Sequence, residues 1–174
     1  MSSPTDPSVP ARTAPPAAAV TTTGDGSLDG AKLIHPGWAI ADDLGKLLLR
    51  VGFGGFMVFG HGLKKFNGFE GTAQFMDGML GLPGTVNAAL AVGAELVCAA
   101  LVVIGLGTRL ACLPLIFTMG YAAIVFHGGD PVFSQQGKSS ESAWVYLFAF
   151  AAILLTGPGR LSIDQLIAGK LRQR

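Results

Sequence analysis

The sequence predicts an all-α fold, a membrane-embedded antiparallel four-helix bundle that follows a disordered N-terminal tail. The 174 residues are 50% hydrophobic and only 13% charged, and the mean hydropathy is +0.51. The apolar residues gather into four blocks, at residues 44–60, 85–106, 110–126 and 142–156. Each block approaches the roughly 20 residues that cross a bilayer core once flanking residues are counted. The chain is therefore expected to be a multi-pass membrane protein in contact with the lipid bilayer.

The charge and the cysteine content argue against a nucleic-acid-binding protein and against a disulfide or CxxC site. The net charge is +1 and no basic run is long, which argues against a nucleic-acid partner. Cys98 and Cys112 lie inside the second and third blocks at different expected depths, so we interpret them as packing residues and not as a disulfide or a CxxC site.

The N-terminal part of the chain is not expected to span the membrane. Residues 1–30 hold five of the ten prolines, with much Ser, Thr, Ala and Gly and no apolar stretch typical of a signal peptide, which predicts a disordered tail. Residues 31–43 are apolar but interrupted by Pro36 and Gly37. Because Trp38 suits the headgroup region, this segment is expected to lie at the membrane interface before the first span.

The first span carries polar groups at two depths, with Arg50 inside it and His61 at its end. On an α-helix these two residues lie within about 20° of each other, so one face is polar. An arginine inside a span costs about 2.5 to 3.5 kcal/mol, and such a group normally faces protein and pairs with an acidic residue. Glu95, on a face of small residues in the second span, is the predicted partner in a buried ion pair.

The connections are expected to differ in kind. Residues 72–80 predict a short interfacial helix with Thr72 as its N-cap. The turn at residues 107–109 is short and makes a hairpin of the second and third spans. The Gly-Pro-Gly sequence at residues 157–159 ends the fourth span, and a short surface helix is expected from residue 161 onward.

Lysine and arginine counts predict the orientation. Four spans place both termini and the 107–109 turn on one side, which collects eight Lys and Arg residues against three on the other, leaving out Arg50. The positive-inside rule then puts both termini in the cytoplasm, including the C-terminal end at residues 165–174.

Several polar residues fall at the outer ends of the predicted helices and are expected to converge on one pocket. His61, His127 and Glu141 lie at helix ends, with Lys64 and Lys65 just beyond His61. Such groups can ligate a metal, hydrogen-bond a quinone or relay protons toward Glu95. No HxxxH or ExxH spacing is present, so no metal site is predicted. The alternative is that these residues only shape helix ends and hold the helices together.

Three runs carry a resemblance to a known family: LLLRVGFGGFMVFGHGLKKF (47–66), AELVCAALVVIGLGTRLA (94–111) and ESAWVYLFAFAAILLTGPGRLSID (141–164). They resemble the DoxX family of small four-helix bacterial membrane proteins, over residues 44–164. The matching positions are Arg50, His61, Glu95, Arg109 and His127. The Lys64-Lys65 pair stands where the family usually has a Gln before the first lysine.

The resemblance implies a four-span domain at residues 44–164 in the bacterial inner membrane, and membrane redox work, since relatives include a quinone-reducing thiosulfate oxidoreductase subunit. On this basis His61, Glu95 and His127 are the candidate catalytic residues. Arg50, His61, Lys64 and Glu141 are the candidates for holding a cofactor, whose identity the sequence leaves open and for which a quinone is one candidate. The sequence has no haem-attachment or iron–sulfur motif, so a protein partner or a second copy of the chain is expected. The alternative is a non-enzymatic membrane scaffold or assembly factor.

Overall fold

A computed structural model of the chain describes residues 36–133 and 139–172, and within these ranges it is helical, with no β-strand. The all-α fold class is confirmed. The predicted disordered tail, residues 1–30, lies outside the described residues, as do residues 31–35.

The described part of the chain contains six helices and a short 3₁₀ helix at Met79–Gly81. Helix α1 begins as an α-helix at Pro36–Met57, passes through a π-helical turn at Val58–Gly62 and ends with Leu63–Asn67. The others are α2 (Phe69–Phe75), α3 (Gly84–Ile104), α4 (Thr108–Phe126), α5 (Glu141–Thr156) and α6 (Ile163–Leu171).

Helix α1 starts earlier than the sequence suggested. Pro36 is its first residue, where a proline costs no helical hydrogen bond because the first N–H groups of a helix have no partner anyway. Residues 36–43 are therefore the first turns of α1 and not a segment separate from the first apolar block. Whether these turns lie at a membrane interface remains a prediction.

Two short helices flank the long ones. Helix α2 begins at Phe69, so Thr72 lies inside it and is not an N-cap; its hydroxyl donates to the Gly68 carbonyl at 2.9 Å. Helix α6 is the expected helix at the C-terminal end. Its N-cap is Ser162, whose side chain accepts a hydrogen bond from the Gln165 N–H.

Of the described helices, α3 and α4 are long and apolar enough to cross a membrane, while α5 is apolar but has 16 residues. α3 and α4 correspond to the second and third predicted spans. The four-span arrangement as a whole remains a prediction.

The long helices pack closely around a shared core. Helix α1 contacts α3 and α5, and α4 contacts the same two helices. Met57, Val102, Cys112 and Phe150 are fully buried there, and both cysteines are free. The core is built from side chains of all four long helices.

Two glycines fix the register between α1 and α3. A Cβ on Gly54 would lie 2.7 Å from Val103 Cγ2, and a Cβ on Gly62 would lie 2.6 Å from the backbone oxygen of Glu95. Moving forward along α1 from Gly54 to Gly62 thus moves the facing position backward along α3, from Val103 to Glu95. The two helices run in opposite directions, and this register decides which polar residues meet.

Candidate functional site

A cavity of about 320 Å³ lies at the end of the long helices that carries His61, which we call the His61 end. Helices α1, α3, α4 and α5 all contribute to its wall, and residues 75–80 of the first connection form part of it. Most of the lining is apolar. The polar side chains in it include His61, Lys65, Asn87, Glu95, Thr118, His127 and Tyr146. A few polar groups in a largely apolar wall is the usual composition of a small-molecule site, and the volume is within the usual range.

Three helices depart from regular α-helical geometry where they meet the cavity. π-Helical stretches occur at Val58–Gly62, which contains His61, at Gly93–Cys98, which contains Glu95, and at Ala122–Phe126, which ends directly before His127. Short π-helical stretches inside α-helices are rare, and those that occur are often found at functional sites. All three predicted catalytic residues therefore lie in or beside such a stretch.

Glu95 and Lys65 form an ion pair in the cavity wall. The Lys65 ammonium donates to both oxygens of the Glu95 carboxylate, which is 1% exposed, whereas the Lys65 side chain is 30% exposed. An unpaired carboxylate inside an apolar helix costs several kcal/mol, and pairing offsets that cost. The close approach of Gly62 to the Glu95 backbone brings the two helices near enough for the pair to form.

The predicted ion pair between Arg50 and Glu95 is wrong. Gly62 faces Glu95, and Arg50 lies about 18 Å before Gly62 along the axis of α1. The first helix was predicted to end at His61-Gly62, but it continues to Asn67 and brings Lys65 to Glu95. Lys65 follows His61 by four residues and so shares its helix face, which is the signal that could have identified it.

Arg50 lies instead at the opposite end of the molecule, which we call the Arg50 end. It is 1% exposed, and its Nη2 donates to the Leu161 carbonyl at 2.5 Å. A Cβ on Gly105 would lie 1.9 Å from Arg50 Nη1, so only glycine fits beside the guanidinium. The predicted cofactor-binding role of Arg50 is therefore not supported by its position, which is remote from the cavity.

The His61 ring packs edge-on against the Tyr146 ring, with centroids 5.4 Å apart, and both side chains line the cavity. Neither side chain hydrogen-bonds to another residue in the described ranges. Polar groups of this kind in a cavity wall are available to a ligand. Tyr146 is a second residue that sequence reasoning missed, because nothing distinguishes it from the other aromatic residues of the fourth block.

The remaining predicted site residues divide into two groups. His127 lines the same cavity as His61, and its Nδ1 lies 2.7 Å from Asp130 Oδ2. Glu141 is exposed at the start of α5 and does not line the cavity; it borders a second, more open pocket beside Phe53, which shares Tyr146 with the cavity. Lys64 is exposed and does not line the cavity; the neighbouring Lys65 does. The structure thus brings His61, Glu95 and His127 together without Glu141 or Lys64.

Asn87 anchors the first connection over the cavity. Its side-chain amide Nδ2 lies within hydrogen-bond distance of the carbonyls of Met76 (3.0 Å), Met79 (2.5 Å) and Leu82 (3.0 Å). Its Oδ1 is buried and has no hydrogen-bond partner among the described residues. A buried acceptor left unpaired is costly, so this atom offsets part of the stability that the three amide contacts contribute.

At the Arg50 end, the segment after the fourth block contacts the turn before the third block, through hydrogen bonds to Asp164. Asp164 Oδ1 accepts from the Gly107 N–H at 2.7 Å, and Oδ2 accepts from the Thr108 N–H at 3.0 Å and the Thr108 hydroxyl at 2.9 Å. Burial alone raises the pKa of Asp164, but these hydrogen bonds and the charge of Arg50 outweigh it and hold the pKa below its ordinary value. Asp164 thereby caps the start of α4.

Arg109 belongs to the same region. A Cβ on Gly157, whose φ is +76°, would lie 3.3 Å from Arg109 Nη2, so this arginine packs against the end of α5. Two of the positions that match the family pattern, Arg50 and Arg109, therefore lie at the end without the cavity. Their location supports a role in holding the helices together.

Among the described residues, no group of three or more His, Cys, Asp or Glu side chains is arranged to hold a metal ion. The histidines are nevertheless accompanied by the groups that proton transfer requires: a buried carboxylate with an ammonium partner, and a tyrosine hydroxyl.

Comparison with known proteins gives a consistent result. The DoxX family model matches residues 45–128. The chain is 37% identical to "Inner membrane protein YphA" of Escherichia coli over 115 residues, which cover 63% of this chain and 80% of the relative. It is 34% identical to "Putative oxidoreductase CatD" of Bacillus subtilis over 125 residues, which cover 72% of this chain and 88% of the relative. No solved structure matches the chain significantly.

Proposed function

The chain belongs to the DoxX family, and on that premise we propose that it is an integral membrane subunit of a quinone-linked redox system in the bacterial inner membrane. One relative is named an inner membrane protein and another an oxidoreductase, which supports the location and the reaction class. The observation that carries the proposal is the cavity in which His61 and Tyr146 lie beside the Glu95–Lys65 pair.

The size and chemistry of the cavity fit a quinone head. A volume of about 320 Å³ accommodates a substituted ring, and the lining is mostly apolar. The His61 ring nitrogens and the Tyr146 hydroxyl have no hydrogen-bond partner among the described residues and suit the carbonyl oxygens of such a ring. A quinone held there by His61 and Tyr146 would supply two-electron, two-proton redox chemistry, with the electrons coming from a partner protein.

The residues of the chain have distinct roles in this proposal. His61 and Tyr146 bind and orient the head by hydrogen bonds. Lys65 and Glu95 hold a proton between them next to the head, with the carboxylate buried in the apolar wall and the ammonium partly exposed. His127, at 2.7 Å from Asp130, links the cavity to the end of α4, from which protons are replaced.

The long helices are proposed to cross the membrane. We propose four spans, with both termini and residues 107–109 in the cytoplasm and the His61 end on the outer side. Exposed side chains such as Phe56, Phe117 and Leu155 on three different helices support extensive contact with lipid. A partner redox protein or a second copy of the chain completes the system.

A scaffold function is the second candidate, and one observation favours it. Lys65 and Glu95 satisfy each other, and Asp164 ties α6 to the start of α4, so the charged groups also serve to hold the helices together. In that case the cavity has no catalytic part to play.

The two candidates are separated by replacing His61. In membranes that contain the assembled system, His61→Ala should abolish quinone-linked electron transfer while partner retention and thermal stability stay near the wild-type values. Glu141→Ala is the matched control, because Glu141 lies at a helix end but outside the cavity. If His61→Ala is as active as the control, this cavity takes no part in the electron transfer and the scaffold function remains.

A further inference from the structure

We propose that the cavity is reached sideways, from within the bilayer, through an opening between α3 and α4, and that its ligand is an amphipathic molecule dissolved in the lipid. The proposal deepens the proposed function, on which it rests for the placement of α3 and α4 across a membrane. The route and the class of ligand do not depend on whether the protein takes part in electron transfer.

The rim of the opening is marked by side chains that both line the cavity and face outward. Leu90 on α3 is 56% exposed, Phe117 on α4 is 62% exposed, and both line the cavity. A side chain can do both only at the edge of an opening. Because α3 and α4 are the described helices that are long and apolar enough to cross a membrane, this opening faces the bilayer.

The depth of the rim supports the same route. Leu90 lies about 9 Å from the start of α3, and Phe117 lies about 13 Å from the end of α4, at a rise of 1.5 Å per residue. Both helices are near the length that matches a hydrocarbon core of about 30 Å. The opening therefore lies at hydrocarbon depth and not at the headgroups.

Small side chains explain why α3 and α4 leave a gap here. Ala91 and Ala94 on α3 and Pro114 and Thr118 on α4 all line the cavity. Pro114 also removes one backbone hydrogen bond from α4, which weakens the helix locally. Larger residues at these positions would close the space, as the core residues do nearer the Arg50 end.

The order of side chains inward from the rim defines the ligand. Exposure falls from Leu90 and Phe117, which are more than half exposed, to Ala91 and Ala94 at 4% each and to Glu95 at 1%, and Glu95 belongs to the polar group with His61 and Lys65. Phe75, at the end of α2, and Met79 also line the cavity. A ligand that fits this sequence has an apolar body at the rim and a hydrogen-bonding head inside.

Thiol labelling in proteoliposomes tests the route. In a Cys98→Ser, Cys112→Ala background, Ala91→Cys places a thiol in the cavity, and Ala88→Cys, at a fully buried position that does not line it, is the matched control. The probes are N-cyclohexylmaleimide, which partitions into lipid, and a charged methanethiosulfonate, each normalised to its rate at the exposed Lys64→Cys. We expect Ala91→Cys to react at least tenfold faster, on this normalised scale, with the lipid-soluble probe, and Ala88→Cys to stay unlabelled.

A second variant tests the rim itself. Leu90→Ala removes an exposed side chain, so the fold is retained, and it should speed labelling of Ala91→Cys by the lipid-soluble probe alone. Preference for the charged probe, or no labelling of Ala91→Cys by either, would overturn the proposal. The outcome is independent of the redox test: lateral labelling with no quinone-linked activity removes only the redox function, and activity without lateral labelling removes only the route.

Discussion

Lys65 and Glu95 join α1 to α3 at the cavity, with the Lys65 ammonium donating to both oxygens of a carboxylate that is 1% exposed. The pair lies where Gly62 touches the Glu95 backbone, so the closest approach of the two helices and their principal charge contact coincide. A charged group of the candidate site is thus also part of the packing, and the variants below separate the two roles.

The ion pair predicts strong coupling between two substitutions. Lys65→Met leaves the buried Glu95 carboxylate without a partner and should cost about 3 to 5 kcal/mol of stability. Glu95→Gln should cost less, because the Lys65 ammonium is partly exposed and can turn to water. The double variant should recover much of the loss in a thermal-unfolding series in mild detergent. Lys64→Met is the control and should be close to neutral; additive effects of the two single changes would contradict the pairing.

The helix contact predicts opposite effects at two neighbouring glycines. A Cβ on Gly62 would lie 2.6 Å from the Glu95 backbone oxygen, so Gly62→Ala should force α1 and α3 apart and cost about 1 to 3 kcal/mol. Gly60 lies in the same π-helical turn, and a Cβ added to it would meet no atom within 4 Å. Gly60→Ala should therefore be neutral or stabilising by up to about 1 kcal/mol. Equal melting temperatures for the two variants would show that the helices do not touch there.

Asp164 predicts an acid-sensitive contribution at the Arg50 end. Hydrogen bonds from Thr108 and Gly107 and the charge of Arg50 lower its pKa in the folded protein despite burial. A carboxyl with a lowered pKa stabilises the fold fully above its unfolded value of about 3.9 and loses that contribution as the pH falls through the folded pKa.

Asp164→Asn should therefore destabilise the protein by about 1 to 2 kcal/mol at pH 7 and flatten the loss of stability below about pH 5. Unfolding curves collected between pH 7 and pH 3 measure this difference. Asp42→Asn is the control, because Asp42 makes only an exposed pair with Lys46. A variant whose stability falls with acid as steeply as that of the wild type would rule out the cap.

Asn87 predicts how firmly the first connection is held over the cavity. Its amide lies within hydrogen-bond distance of the carbonyls of Met76, Met79 and Leu82, so Asn87→Ala should release this connection. Backbone amides of residues 76–82 should then exchange with deuterium faster, while exchange in the centre of α4 stays unchanged. Val86→Ala, at an exposed position next to Asn87, is the control. Unchanged exchange in both variants would show that Asn87 does not anchor the segment.

The sequence predicted the fold class and part of the candidate site for a clear physical reason. Long apolar blocks specify helices locally, and His61, Glu95 and His127 stood out because polar groups are rare in such blocks. To predict which charged residues pair, one must know the register between α1 and α3. That register depends on how closely Gly54 and Gly62 approach α3 and on where α1 ends. Those are tertiary properties, so the sequence assigned Glu95 to Arg50 when Lys65 is the partner.

Other features had no local signal at all. The sequence predicted both Glu141 and His61 at helix ends facing one pocket, and only the arrangement of α5 excludes Glu141 from the cavity. Tyr146 and Asn87 line the cavity only because the folded chain brings other helices next to them, and nothing in the sequence around them indicates this. The π-helical stretches likewise lack a residue pattern that would have indicated them beforehand.

Binding of decylubiquinone to the purified protein in lipid nanodiscs tests the central claim most directly, since it needs no partner protein. We expect saturable binding by the wild type, at least a tenfold weaker dissociation constant for His61→Ala, equivalent to about 1.4 kcal/mol, and no change for Glu141→Ala, which lies outside the cavity. No saturable binding by a folded wild type, or equal affinity in His61→Ala, would contradict the assignment of this cavity as a quinone site.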